Sequence, residues 1–159
     1  MEIISTSNNQ KILKNFLIVV LGSILLTVSA KIKIPFYPVP MTMQTFVVLF
    51  LGISFGYKIA VATVFVYLVE GLLGLPVFSN SPEKGVGLAY FVGPTMGYLI
   101  GFLFAAFFAG YLNFKTNLFV IFLKLILSVF FIYFFGIVWL GILIGWDKPI
   151  FKLGFFPFI

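Results

Sequence analysis

Runs of apolar residues, broken by glycine, proline and lysine, divide the chain into five segments. The first covers 12–30 (ILKNFLIVVLGSILLTVSA) and ends at KIKIPFYPVP, where Pro35, Pro38 and Pro40 forbid a continuing helix. The second runs from about Thr42 to Phe55, short for a membrane span, and a tight FGYK turn separates it from the third, about Tyr57 to Leu73. The fourth extends from about Phe91 to Leu112. The fifth, Asn117 to Gly145, exceeds the roughly 20 residues of one upright span, which predicts tilt, a break near Gly136, or a start after Lys124. Between the third and fourth core runs lies GLPVFSNSPEKGVGLAYFVGPTMGYLIGF (74–102), with two turns rich in Gly and Pro. Backbone that interrupts a helix at membrane depth normally lines a cavity, so a transporter's substrate site is expected here.

Composition turns this pattern into a class. Of 159 residues 62% are hydrophobic and 9% charged, with mean hydropathy +1.22, whereas a soluble domain carries roughly 25% charge. The expectation is an all-α, polytopic membrane helical bundle forming one domain over 1–159, with about five or six spans and no soluble catalytic domain. A net charge of +6 would suggest nucleic acid in a soluble protein. Here Lys11, Lys14, Lys31, Lys33, Lys58, Lys115 and Lys148 stand at segment ends, where lysines anchor to lipid headgroups, and no nucleic-acid partner is expected. With the N-terminus inside, Lys11, Lys14, Lys58, Lys115 and Lys124 balance Lys31, Lys33, Lys84, Lys148 and Lys152, so charge sets no orientation. The first segment also fits a cleaved signal peptide, with small residues near Val28, Ser29 and Ala30, although later spans make a leader unnecessary. The chain has no Cys and no His, which removes disulfides, thiolate or imidazole metal sites and the usual proton shuttle.

Small residues carry a packing code. Gly93, Gly97, Gly101, Ala105 and Ala109 recur every four residues, a ridge along which another helix backbone can approach, with ligand contact conceivable only at the Gly93 end. Ser23 and Thr27 mark a second small face, for internal packing or for a partner protein. Polar residues gather at Thr42 and Gln44, at Asn80 after Phe78, and at Thr95 and Tyr98 where the fourth helix opens with N–H groups able to bind an oxygen ligand. Each also suits a helix cap or turn. Glu70 is the only acid in an apolar stretch, open to interfacial exposure or to proton coupling.

IPFYPVPMTMQTFVVLFLG, YLVEGLLGLPVFSN and GPTMGYLIGFLFAAFFAG, in that order over about 16–158, resemble the successive signatures of the BioY family, the biotin-binding S components of energy-coupling factor (ECF) transporters. The resemblance implies a six-helix receptor in a prokaryotic cell membrane that captures biotin outside. It further implies docking on one transmembrane coupling protein and two ATPase subunits, which use ATP, so that the chain itself needs no cofactor and is not an enzyme. The absence of GxxxxGK[ST] agrees with borrowed ATPases. Biotin has an apolar fused ring, a ureido group and a carboxylate tail, which call for aromatic walls and a few neutral polar groups. Phe78, Tyr90 and Tyr98 offer walls, Thr42, Gln44, Asn80 and Thr95 offer hydrogen bonds, and Ser23 and Thr27 resemble the face that meets the coupling protein. In the family a final helix opened by an acid and a lysine follows the segment resembling KLGFFPF, whereas here the sequence ends at Ile159. The sixth helix is therefore expected to be missing or truncated, and Asp147 and Lys148, which precede the PF signature, do not replace its charges.

Two other classes make different demands. An intramembrane enzyme needs a nucleophile and base or a metal set, for which one intramembrane Glu and no His or Cys are poor material. A structural or pore-forming oligomer without biotin binding would use the glycine ridge between subunits and would conduct ions in liposomes with no ligand present.

Overall fold

The computed structural model describes residues 8–111 and 117–158. In chain order it contains helix α1 (Asn8–Lys31), strands β1 (Lys33–Ile34) and β2 (Met41–Thr42), and helices α2 (Gln44–Leu72), α3 (Leu88–Phe91), α4 (Met96–Gly110), α5 (Leu118–Ile144) and α6 (Ile150–Gly154). A 3-10 turn follows at Phe156–Phe158. Helices α1, α2 and α5 have the length and apolarity to cross a membrane, and α4 is a shorter apolar helix.

The proline-rich segment after α1 is a small hairpin rather than featureless linker. Its strands are antiparallel, with Lys33 opposite Thr42 and Ile34 opposite Met41. This pairing gives the extended backbone beside the prolines partners for its N–H and C=O groups.

Helix α2 is not a single straight rod, because Gly56 within it departs from helical geometry. Gln44 and Tyr67 would lie about 34 Å apart on a straight helix at 1.5 Å per residue. Their side chains instead form a 2.7 Å hydrogen bond. The helix therefore folds back on itself into two arms, 44–55 and 57–72. The reversal is at Gly56, whose φ of 77° and ψ of 166° lie where a side chain would be strained. These arms are the second and third segments of the sequence pattern, and the FGYK turn is their tip.

Helix α4 is the centre of the bundle, packed on α2 along one side and on α5 along the other, while α1 packs on α2. The small-residue ridge serves both contacts. A Cβ on Gly97 would meet the Phe135 carbonyl, the Trp139 Cβ and the Gly136 backbone, and one on Gly101 would come within 2.6 Å of Ile132 Cα. At the far end, a Cβ on Gly52 would lie 2.8 Å from Ala109 Cβ. Helices joined by dispersion alone need such close approach.

Three expectations about segment limits change. The fourth helix begins at Met96, not near Phe91, because the Gly93-Pro94 turn separates it from the four-residue α3. The fifth segment is one unbroken helix from Leu118 to Ile144, so neither the break at Gly136 nor the start after Lys124 occurs. Its length of about 40 Å against a hydrocarbon core of about 30 Å leaves tilt as the accommodation. Gly136 is a notch instead, since a Cβ there would run into the Tyr98 ring. Leu112 and Lys115 lie outside the described residues.

Candidate functional site

The β-hairpin, the start of α2, the loop after α2, α3 and the first turns of α4 converge on a cavity of about 180 Å³, closed on the far side by Ile132 and Tyr133 of α5. Proline and glycine breaks bring these pieces together, because each ends a helix at the same end of the bundle. Thr42, Gln44, Tyr90, Thr95 and Tyr98, all expected from the sequence, line this one cavity. Ser79, Val39, Leu99 and Phe102 complete most of the wall. None of the described lining residues is charged, and the described residues hold no cluster of His, Cys, Asp or Glu that could bind a metal.

Five polar side chains of the wall, those of Thr42, Gln44, Ser79, Tyr90 and Tyr98, are held by hydrogen bonds. Thr42 Oγ1 donates to Gln44 Oε1 at 3.2 Å, Gln44 Nε2 to the Tyr67 hydroxyl at 2.7 Å, and Tyr67 to the Val77 carbonyl at 3.2 Å. Ser79 Oγ and the Tyr90 hydroxyl are 3.3 Å apart. The Tyr98 hydroxyl donates to the Gly154 carbonyl at 2.7 Å, tying α6 to the cavity wall. Thr95 stands at the N-cap of α4, forms no side-chain capping bond and lines the cavity. Gly93 accepts from Trp139 Nε1 at 2.9 Å and so takes part in α4–α5 packing.

Two of the expected site residues stand outside the lining. Phe78 is 1% exposed and stacks behind Tyr90, with ring centroids 4.5 Å apart, so it supports the wall without forming it. Asn80 turns away and accepts from Lys33 Nζ at 3.2 Å, and its neighbour Ser79 faces the cavity instead. A loop has no fixed period to say which of two adjacent residues points inward. Ser23, expected either to pack internally or to face a partner protein, is 1% exposed and donates to Glu70 Oε1 at 2.9 Å, which is internal packing. The α1–α2 packing places it inward because a half-buried carboxylate needs a donor. Thr27 is half-buried and donates to the Ser23 carbonyl.

Lys31 and Lys33 are not simple headgroup anchors. Lys31 Nζ donates to the carbonyls of Phe78 (2.7 Å) and Ser81 (2.8 Å), and Lys33 Nζ to the Ser79 carbonyl (2.6 Å). The two ammonium groups clip the 78–81 loop to the α1–β1 corner. Because Lys33 is half-exposed, Lys33→Met should cost only about 1 kcal/mol, below the usual 1.5–3 for a charged hydrogen bond. The loop amides should nevertheless exchange hydrogen faster, and unchanged exchange at 78–81 would show that Lys33 does not hold them.

The BioY family model matches residues 4–159. A probable biotin transporter BioY of Pyrococcus horikoshii is 36% identical over 146 residues, 92% of this chain and 85% of the relative. The biotin transporter BioY of Thermotoga maritima is 38% identical over 136 residues, 85% of this chain and 79% of the relative. Among solved structures, the S-component for biotin from an ECF-type ABC transporter superposes with a TM-score of 0.74 at 28% identity. The match covers 93% of this chain and 80% of that one.

Proposed function

The chain belongs to the BioY family, and we propose that it is the biotin-binding S component of an ECF-type importer, capturing biotin for an ATP-driven module to deliver. The observation that carries this reading is the cavity itself, a neutral wall of hydroxyls and one amide backed by aromatic rings. Biotin's fused rings match the aromatic part, and its ureido group matches the hydroxyl and amide part. At about 180 Å³ the enclosed space falls below the roughly 300–1,000 Å³ of common ligand pockets, so the bicycle fills it and the flexible tail lies toward the mouth.

The proposed contacts are Thr42, Gln44, Ser79, Tyr90, Thr95 and Tyr98, with Phe78 and Asn80 acting through their neighbours. A multi-pass membrane location follows from the helices; the proposal makes it the cell membrane. The role proposed is transport without catalysis by this chain, with a transmembrane coupling protein and two ATPase subunits as partners. Support for these partners is the kinship with an ECF-type S component. On α1, Thr27 with the exposed Ile24 and Val28 is the part of the small-residue face that remains available to a coupling protein.

Titration calorimetry of the purified protein in detergent tests the reading. Biotin should bind saturably, and Gln44→Ala should weaken it by about 1–3 kcal/mol, the cost of stranding buried polar partners. No heat and no saturation with the folded wild-type protein would overturn it.

A further inference from the structure

We infer that Tyr67, which does not line the cavity, fixes the direction of the hydrogen bonds in the polar wall and thereby makes Thr42 a position that can only accept a hydrogen bond from the ligand. The inference rests on the reading of this cavity as a biotin pocket and names how it tells biotin's ureido group from other groups.

The available protons decide the direction of each bond. Tyr67 is fully buried on the second arm of α2, and its hydroxyl has one proton and two acceptor sites. The Val77 carbonyl, 3.2 Å away, has no proton to give, so the Tyr67 proton points there. The contact of Tyr67 with Gln44 at 2.7 Å must then be donated by Gln44, which turns the amide NH₂ toward Tyr67 and its oxygen toward Thr42. This orientation follows from the chain of partners and not from the shape of the amide. The Gln44 oxygen has no proton either, so at 3.2 Å it takes that of Thr42. Thr42 Oγ1 is left with lone pairs alone for whatever occupies the cavity.

The opposite polar pair has the reverse balance. Ser79 and Tyr90 hold two hydroxyl protons and use one between them across 3.3 Å. One proton remains to donate. The pocket thus presents an acceptor at Thr42 and a donor at the Ser79–Tyr90 pair, the complement of an N–H and a C=O held in one cyclic urea. A carbonyl or carboxylate oxygen placed at Thr42 would face lone pairs, so the ring enters with N–H toward the β-hairpin.

Tyr67 is in these terms a positioning residue, and the test reads selectivity rather than affinity alone. Biotin and its two mono-N-methyl ureido analogues are titrated against wild type, Tyr67→Phe and Thr42→Val. Wild type should bind one analogue more weakly than biotin by about 5- to 150-fold, the range for an unpaired buried polar group. Thr42→Val keeps the volume and removes the acceptor, so it should weaken biotin and bring that ratio to within about threefold. Tyr67→Phe frees the amide to turn and should lower the ratio in the same way. A merely structural Tyr67 would weaken both ligands equally and leave the ratio unchanged, and that outcome overturns the inference. So does a ratio that survives Thr42→Val, which would mark the discrimination as one of size. Absence of biotin binding by the wild type would instead remove the functional reading beneath it.

Discussion

Phe78→Ala should destabilise the protein by about 3–5 kcal/mol and also weaken biotin binding, although Phe78 does not itself line the cavity. The ring is buried among Tyr90, Tyr67 and Phe91, at centroid distances of 4.5, 5.3 and 5.5 Å. It also occupies the space left by the missing side chain of Gly71. Deleting it leaves a void that the surrounding helices close only in part, and it removes the support on which Tyr90 stacks. Phe78→Leu, which keeps most of the volume, should retain the greater part of both properties. The measurements are thermal unfolding in detergent and biotin titration of the same preparations. A loss of stability under about 1 kcal/mol in Phe78→Ala would mean that the loop is not anchored through this ring.

Gly97→Leu is expected to be as severe for another reason. The Gly97 Cα faces the backbone of α5 at Phe135 and Gly136, and any side chain there must push two helices apart. Overpacking against flexible side chains costs about 1–3 kcal/mol, and a rigid backbone places this site at or above the upper end. Because Tyr98, Leu99 and Phe102 on α4 share the cavity with Ile132 and Tyr133 on α5, separation of the helices opens the pocket. The variant should give little monodisperse protein, and whatever is recovered should bind biotin poorly. Recovery of wild-type yield and affinity would show that the two helices meet elsewhere.

How far the sequence foretold these features depends on the distance over which each is determined. The five apolar runs and the breaks at the prolines and glycines are local, and they appear as the two arms of α2 together with α1, α4 and α5. Gly136 is a reminder that a glycine in an apolar helix serves contact as readily as bending, and only the Tyr98 ring opposite decides which. Thr42, Gln44, Tyr90, Thr95 and Tyr98 stood out because polar or aromatic residues beside a turn are conspicuous in oily sequence. Tyr67 did not, sitting inside an apolar run, yet the hairpin places it opposite Gln44, and the two are almost equally far from the Gly56 tip. Pairing residues across the FGYK turn would have found it. Ser23 and Glu70 meet across 47 positions, and no periodicity in either segment connects them. Lysines at a helix end look alike whether they meet headgroups or loop carbonyls, so the roles of Lys31 and Lys33 became visible only in three dimensions.

The partners of those two lysines are neutral oxygens, and hydrogen bonding to a carbonyl leaves an ammonium's charge in place. Glu83 near Lys31 offsets one of them, while Lys84, lying over the Tyr37 ring at 5.6 Å, adds another. The corner that shapes the cavity wall, where Lys33 pairs in register with Thr42, therefore carries a positive field that extends over about a Debye length, ~10 Å at 0.1 M salt. Such a field draws in an anionic solute and turns away a cationic one before either touches the protein. Selection by charge at a distance would thus precede the proposed selection by hydrogen bonds inside, and added salt would weaken the first while leaving the second intact.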